Sequence, residues 1–196
     1  MRCKKNYSAF LLTFFYFLVI MRLRSGVIMA KIYFIADLHL GDSAIIRYEN
    51  RPFHNVDEMN NKLVSNWNSI VDKEDTVFVV GDFISNLKSF EYISRLNGNI
   101  KLIVGNHDVP FIEEYKNYSK VEVIGYPIIL EGFWIISHEP VYISEQMPYA
   151  NIFGHIHNNP MYKTVSSRSY CVCVERNGFK PVLFDDIKEA VRKENK

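Results

Sequence analysis

From residue 31 onward, short apolar runs rich in Ile, Val and Phe alternate with stretches whose apolar residues recur every three or four positions. The runs at 32–36, 76–80 and 101–104 are continuous, as expected of strands covered on both faces. Between the first two, Val56, Met59, Leu63, Trp67, Ile70 and Val71 form a helical stripe over 56–71, with Asp57 and Glu58 in the first turn, where the helix dipole favours acids. Residues 87–96 read likewise. Two strand–helix repeats followed by a third strand predict right-handed crossovers and a parallel sheet. The next runs, 121–124, 128–130 and 133–137, are separated only by Gly125-Tyr126-Pro127 and by Glu131-Gly132. Such connections are too short for helices and predict antiparallel hairpins in a second sheet packed on the first. Residues 170–174 read as a further strand that points Cys171 and Cys173 to one face. A closing helix over 185–196 starts with Asp185 and Asp186 and carries Arg192 and Lys193 near its end. The class is therefore α/β.

At 196 residues and 48% hydrophobic, the chain can bury one core. Residues 29–196 are read as that domain. Residues 1–28 are set apart as an N-terminal hydrophobic extension: 9–21 are apolar or aromatic except Thr13, behind Arg2, Lys4 and Lys5. Thirteen residues span a hydrocarbon core poorly, and Arg22 and Arg24 follow in place of a small-residue cleavage site. Three readings stay open: a start at Met29 with a cytoplasmic protein, a membrane anchor through 9–21, and a cleaved signal. Five of the 23 basic residues lie in the extension, so residues 30–196, with 18 bases and 22 acids, carry a net charge of −4. That body offers no general electrostatic ground for tight nucleic-acid binding. Cys171 and Cys173 read as a buried free-thiol pair, since no second Cys pair exists to complete a zinc site.

Five apolar runs end in a residue able to bind a metal: Asp37, Asp82, Asn106, His138 and His155. In open α/β sheets ligands bind just beyond the carboxyl ends of the strands, so residues far apart in sequence meet in one crevice. Gly81, Gly105 and Gly154 precede three of them, where glycine allows close backbone approach. Five of the six histidines, His39, His107, His138, His155 and His157, lie at or beside these ends; only His54 does not. Singly, Asp37-x-His39 and Gly81-Asp82 are common turn sequences. Gly105-Asn106-His107-Asp108 is rarer, expected by chance in about one chain in a thousand of this length.

The ordered set Asp-x-His, Gly-Asp, Gly-Asn-His-Asp, His, Gly-His-x-His resembles the calcineurin-like metallophosphoesterase superfamily across residues 31–184. Residues 45–53, the segment NKLVSNWNSIV and the later GFKPV resemble the small single-domain phosphoesterases of bacteria and phages. Asp42 stands where those relatives often have histidine. The resemblance implies a four-layer α/β/β/α sandwich of two mixed sheets flanked by helices, with the site at strand C-terminal ends. It also implies two divalent ions, Mn²⁺, Fe or Zn²⁺: Asp37, His39 and His157 would hold one, Asn106, His138 and His155 the other, with Asp82 bridging. A shared hydroxide would attack the phosphorus, with His107 as general acid and Asp108 orienting it or raising its pKa. Arg47 and Arg51 are candidate phosphate contacts. The implied substrate is a phosphodiester or phosphomonoester, nucleotide and nucleic acid among the candidates, with no evident protein partner and no membrane unless 1–28 are retained. The alternative, a non-catalytic metal-binding scaffold of the same fold, predicts missing ligands, whereas every ligand position and His107 are filled here.

Overall fold

A computed structural model describes residues 29–144, 146–159 and 166–194. The expectations for residues 1–28 lie outside the described residues. One compact unit begins at Lys31.

Its first sheet has the order β4-β3-β2-β1-β9, from β1 (Ile32–Ile35), β2 (Thr76–Val80), β3 (Asn99–Ile103), β4 (Val121–Ile124) and β9 (Val182–Leu183). The first four are mutually parallel and β9 is antiparallel to β1. Because side chains alternate along a strand, β1 and β2 serve two cores at once. Tyr33, Ile35, Val77 and Val79 join Met59, Leu63 and Trp67 of the helix side. Phe34, Phe78 and Val80 face the other way, toward Trp134, Ile136 and Ile152 of the second sheet. Both faces being buried, these strands read as unbroken apolar runs.

The crossovers are α1 (Ala44–Tyr48) with α2 (Val56–Asn68), then a 3₁₀ turn (Leu87–Phe90) running into α3 (Glu91–Arg95), then α4 (Ile112–Tyr115). Asn55 caps α2 by accepting the Glu58 N–H at 2.9 Å. The stretch at 87–96, read as one helix, is split because Asn86 caps a 3₁₀ turn before α3 begins.

The second sheet has the order β5-β6-β7-β8, from β5 (Ile128–Leu130), β6 (Trp134–Ser137), β7 (Ala150–Phe153) and β8 (Ser169–Cys171). The expectation of antiparallel hairpins among the runs 121–124, 128–130 and 133–137 is met by the last two and corrected for the first. In this sheet β5 and β6 are antiparallel, β6–β7 and β7–β8 are parallel, and β4 belongs to the first sheet. Three-residue Gly125-Tyr126-Pro127 does not turn a hairpin but carries the chain from one sheet to the other. Twelve residues (138–149) separate β6 from β7, enough for a parallel return. Two mixed sheets flanked by helices give the α/β class anticipated, and α5 (Phe184–Glu194) closes the chain, its Phe184, Ile187 and Val191 packed into the inter-sheet core.

The sheets are stitched together where the site lies. Beyond β1, Ala36 bridges Cys173 in parallel, with Ala36 N–H donating to Val172 O at 2.9 Å. Cys173 is buried and its sulfur lies 3.1 Å from that of Cys171. Cys171 is only partly buried, because the strand ends there and the chain turns at Cys173. No helix among the described residues is long and apolar enough to cross a membrane.

Candidate metal centre

All five parallel strands that end in a polar residue deliver it to the same crevice. Asp37, His39 and His157 bring ligand atoms within 4.8 Å of one another, and Asp82, His138 and His155 do the same. Asn106 joins the second set, its Oδ1 lying 3.0 Å from His138 Nε2 and 3.2 Å from His155 Nδ1. Asp82 touches both sets. Its Oδ1 accepts the His107 N–H at 2.9 Å, leaving Oδ2 free, 3.6 Å from His39 Nε2 and 3.4 Å from His138 Nε2.

Local backbone geometry makes this convergence possible. Asp37, His39, Asp82, His155 and His157 have φ between 46° and 72°, a left-handed conformation that non-glycine residues adopt only when their surroundings enforce it. The Asp37 carboxylate accepts the His155 N–H at 3.0 Å, tying β1 to β7. Gly81, at φ 86°, admits no side chain: a Cβ there would meet His138 Nδ1 at 2.1 Å. A Cβ on Gly154 would meet Asp37 Oδ2 at 2.8 Å.

Each histidine's hydrogen bonds decide which nitrogen faces the crevice. His138 Nδ1 faces Val80 O at 2.9 Å, so it carries the proton and Nε2 points inward. His157 Nδ1 faces Glu175 Oε1 at 3.0 Å, leaving Nε2 3.8 Å from Asp37 Oδ1. Both nitrogens of His39 are buried without a hydrogen-bond partner. Orphaned buried polar atoms are costly, and a cation between His39 and Asp82 would account for Nε2, the one facing Asp82. The donor set of imidazoles, carboxylates and one amide oxygen fits divalent transition ions.

Burial pushes the Asp37 carboxyl up to about 6, against the pull of His157 and His138. It pushes the His39 imidazole down to about 3. Burial also opposes charge on Asp82 and His138, but their mutual attraction wins, holding Asp82 down at about 2 and His138 up at about 9.

His107 is exposed and edge-on to His39, ring centroids 5.0 Å apart. It borders a cavity of about 380 Å³ lined also by Gly41, Asp42, Ser85, Asn106, Pro110 and Phe111. Asp108 does not orient His107. It is fully buried and accepts the Asp82, Phe83 and Gly105 N–H groups and the Tyr115 hydroxyl, so the expected catalytic role is replaced by a structural one. Arg51 is corrected too: its guanidinium is buried under the site, bound to Glu175 and to the Asp37 and Leu38 carbonyls, out of reach of a substrate. Arg47 is exposed, 5.5 Å from the Tyr48 ring, and joins neither ligand set.

Glu175 escaped the sequence reading. An acid directly after the apolar run 170–174 is the same strand-end signal that marked Asp37 and could have found it. Glu49 also lies near His157, and Glu49, His157 and Glu175 form a third group of close ligand atoms. Its His157 nitrogen is committed to Glu175, and the Arg51 guanidinium already supplies the positive charge there.

The profile of calcineurin-like phosphoesterases matches residues 30–175. The chain is 35% identical over 178 residues to the uncharacterized protein MJ1445 of Methanocaldococcus jannaschii, covering 84% of this chain and 93% of that protein. The Gene 66 protein of Mycobacterium phage L5 is 34% identical over 87 residues, 42% of each chain. A crystal structure of AQ665 from Aquifex aeolicus, described as of unknown function, superposes with a TM-score of 0.67 at 25% identity, covering 82% of this chain and 98% of that one.

Proposed function

The chain belongs to the calcineurin-like phosphoesterase family, and from that premise we propose that it hydrolyses a phosphate ester at a centre for two divalent cations. Family membership and the clustered ligand groups support metal-dependent phosphoester hydrolysis in general. The observation that carries the two-cation reading is Asp82. One of its oxygens is spent on the His107 N–H, and the other stands between His39 of one set and His138 of the other.

In this reading Asp37, His39 and His157 hold one ion, Asn106, His138 and His155 the other, and Asp82 is shared. When bound, the ions supply positive charge for the phosphoryl oxygens and lower the pKa of a water toward neutrality. Two divalent ions bring four charges against two from Asp37 and Asp82, so the loaded site keeps a surplus that attracts a phosphate anion. Mn²⁺, Fe and Zn²⁺ suit such mixed ligation. His107 stands at the mouth of the adjoining cavity, where it can give a proton to the leaving oxygen. That cavity is the place for the alcohol portion of a monoester or diester, nucleotides and nucleic acid included. Arg47, exposed on α1, remains a proposed phosphate contact. The catalytic unit is taken as residues 29–196 in the cytoplasm, and fractionation of cells expressing the full chain tests the location. Activity is tested by loading the purified full chain with Mn²⁺ and assaying p-nitrophenyl phosphate and bis-p-nitrophenyl phosphate. Release of nitrophenol from one or both is expected; metal-loaded protein inert toward both sinks the proposal.

A further inference from the structure

Beneath the Asp37–His39–His157 set lies a buried ion pair. The Arg51 side chain is 0% exposed and that of Glu175 is 4% exposed, with Nη2 2.6 Å from Oε1. Every guanidinium nitrogen is occupied. Nε and Nη2 bind Glu175 Oε1, at 2.9 and 2.6 Å, and Nη2 also donates to Asp37 O at 2.7 Å. Nη1 donates to Leu38 O at 3.0 Å and lies 3.3 Å from Met59 Sδ. The same Glu175 oxygen receives His157 Nδ1 at 3.0 Å.

This arrangement reaches all three members of the set. Asp37 and His39 flank the two pinned carbonyls, and both have left-handed backbones, at φ 59° and 49°. His157, at φ 46°, is fixed through its imidazole. Glu175 itself sits in a 3₁₀ turn (Val174–Arg176) whose Val174 N–H donates to Ala36 O, so the anchor is fastened to the end of β1. In the other half, His138 leans on Val80 O, His155 is exposed, and the buried Asp108 carboxylate holds the Asp82 and Gly105 N–H groups.

Burying an ion pair rarely stabilises a fold relative to apolar side chains of like size, so a purely structural role explains it poorly. We propose that Arg51 and Glu175 are positioning residues for one half of the centre. Glu175 holds the His157 imidazole with Nδ1 protonated and Nε2 toward Asp37, and Arg51 pins the turn that presents Asp37 and His39. The inference rests on the two-cation reading above. Partners of this kind, placed behind metal ligands, typically change affinity about 10–100-fold when removed.

Manganese titration of the full chain by calorimetry and equilibrium dialysis tests it. Wild type takes up two equivalents. Glu175→Gln should keep one at wild-type affinity and bind the other about 10–100-fold more weakly, with an unchanged circular dichroism spectrum. His155→Ala should weaken the opposite equivalent, and the two substitutions combined should weaken both. Should Glu175→Gln alone fail to fold, Arg51→Met with Glu175→Gln removes both charges, leaves no unpaired buried ion, and is read the same way. Two equivalents at wild-type affinity in a folded Glu175→Gln or double variant overturns the inference alone. Fewer than two equivalents in the wild type overturns the two-cation reading as well. Equal weakening of both equivalents marks a merely structural pair and also overturns it.

Discussion

His107 and Asp108 are neighbours in sequence with opposite fates: one ring is exposed beside the crevice, while the other side chain is sealed beneath it. Their substitutions should therefore separate. His107→Ala should lower kcat about 10²–10⁴-fold, the range for a lost general acid, and leave metal uptake intact by dialysis. Asp108→Ala strands three buried N–H donors and the Tyr115 hydroxyl, so it should lower Tm measurably by calorimetry at a cost of several kcal/mol, since each unpaired buried group costs about 1–3 kcal/mol. His138 gives a pH prediction. Its folded pKa, held up at about 9, lies above the ordinary value of 6.5, so the metal-free protein keeps that proton throughout the interval. An ion needs the nitrogen free, so loading expels the proton. Affinity should rise about tenfold per pH unit for one displaced proton at pH below about 9, and level off above it. Calorimetry in buffers of differing ionisation enthalpy counts the protons; uptake independent of pH contradicts the assignment of His138. At this scale the residue types and their strand-end positions were legible in sequence. The roles of Arg51 and Asp108 were not, since direction depends on whichever partners the fold brings within reach.

At the scale of elements, the parallel strands act as pointers, and the turns at their ends hold the aim. Gly81 separates β2 from Asp82 and lies against the His138 ring. Gly81→Ala should both strain the left-handed turn and displace His138, lowering metal affinity and Tm together; a folded variant with wild-type affinity for both equivalents refutes that coupling. The misjudged elements have a common cause. Runs 121–124, 128–130 and 133–137 show where strands form, because apolar continuity is local. Pairing is not local: β4 takes its place beside β3 through the Val121–Ile124 register with Ile100–Ile103, a match between segments that no spacing in the chain encodes. Likewise, the thiols of Cys171 and Cys173 touch because the chain turns after β8, although a straight strand would also have put them on one face.

For the whole molecule, the centre joins the two sheets, through Ala36 to Cys173 and through Asp37 to His155. An ion bound there binds only the folded chain, so chelation should destabilise it globally. With free metal at a hundred times Kd, the linkage amounts to about 2.7 kcal/mol, or a fall in Tm of roughly 5–10 °C for a chain of this size. Differential scanning calorimetry with and without a chelator checks this; an unchanged Tm contradicts a centre that spans both sheets. Most of the strands, the α/β class and the identities of the seven clustered residues were legible along the chain, whereas β9 was not. These follow from hydrophobic periodicity and from polar residues placed where apolar runs stop, both properties of neighbouring positions. The strand order, the distances of Asp82 Oδ2 to His39 and His138, and the burial of Arg51 against Glu175 came from tertiary contacts alone. Those depend on distances between residues far apart along the chain, such as the 124 positions separating Arg51 from Glu175, and such distances exist only once both cores have formed.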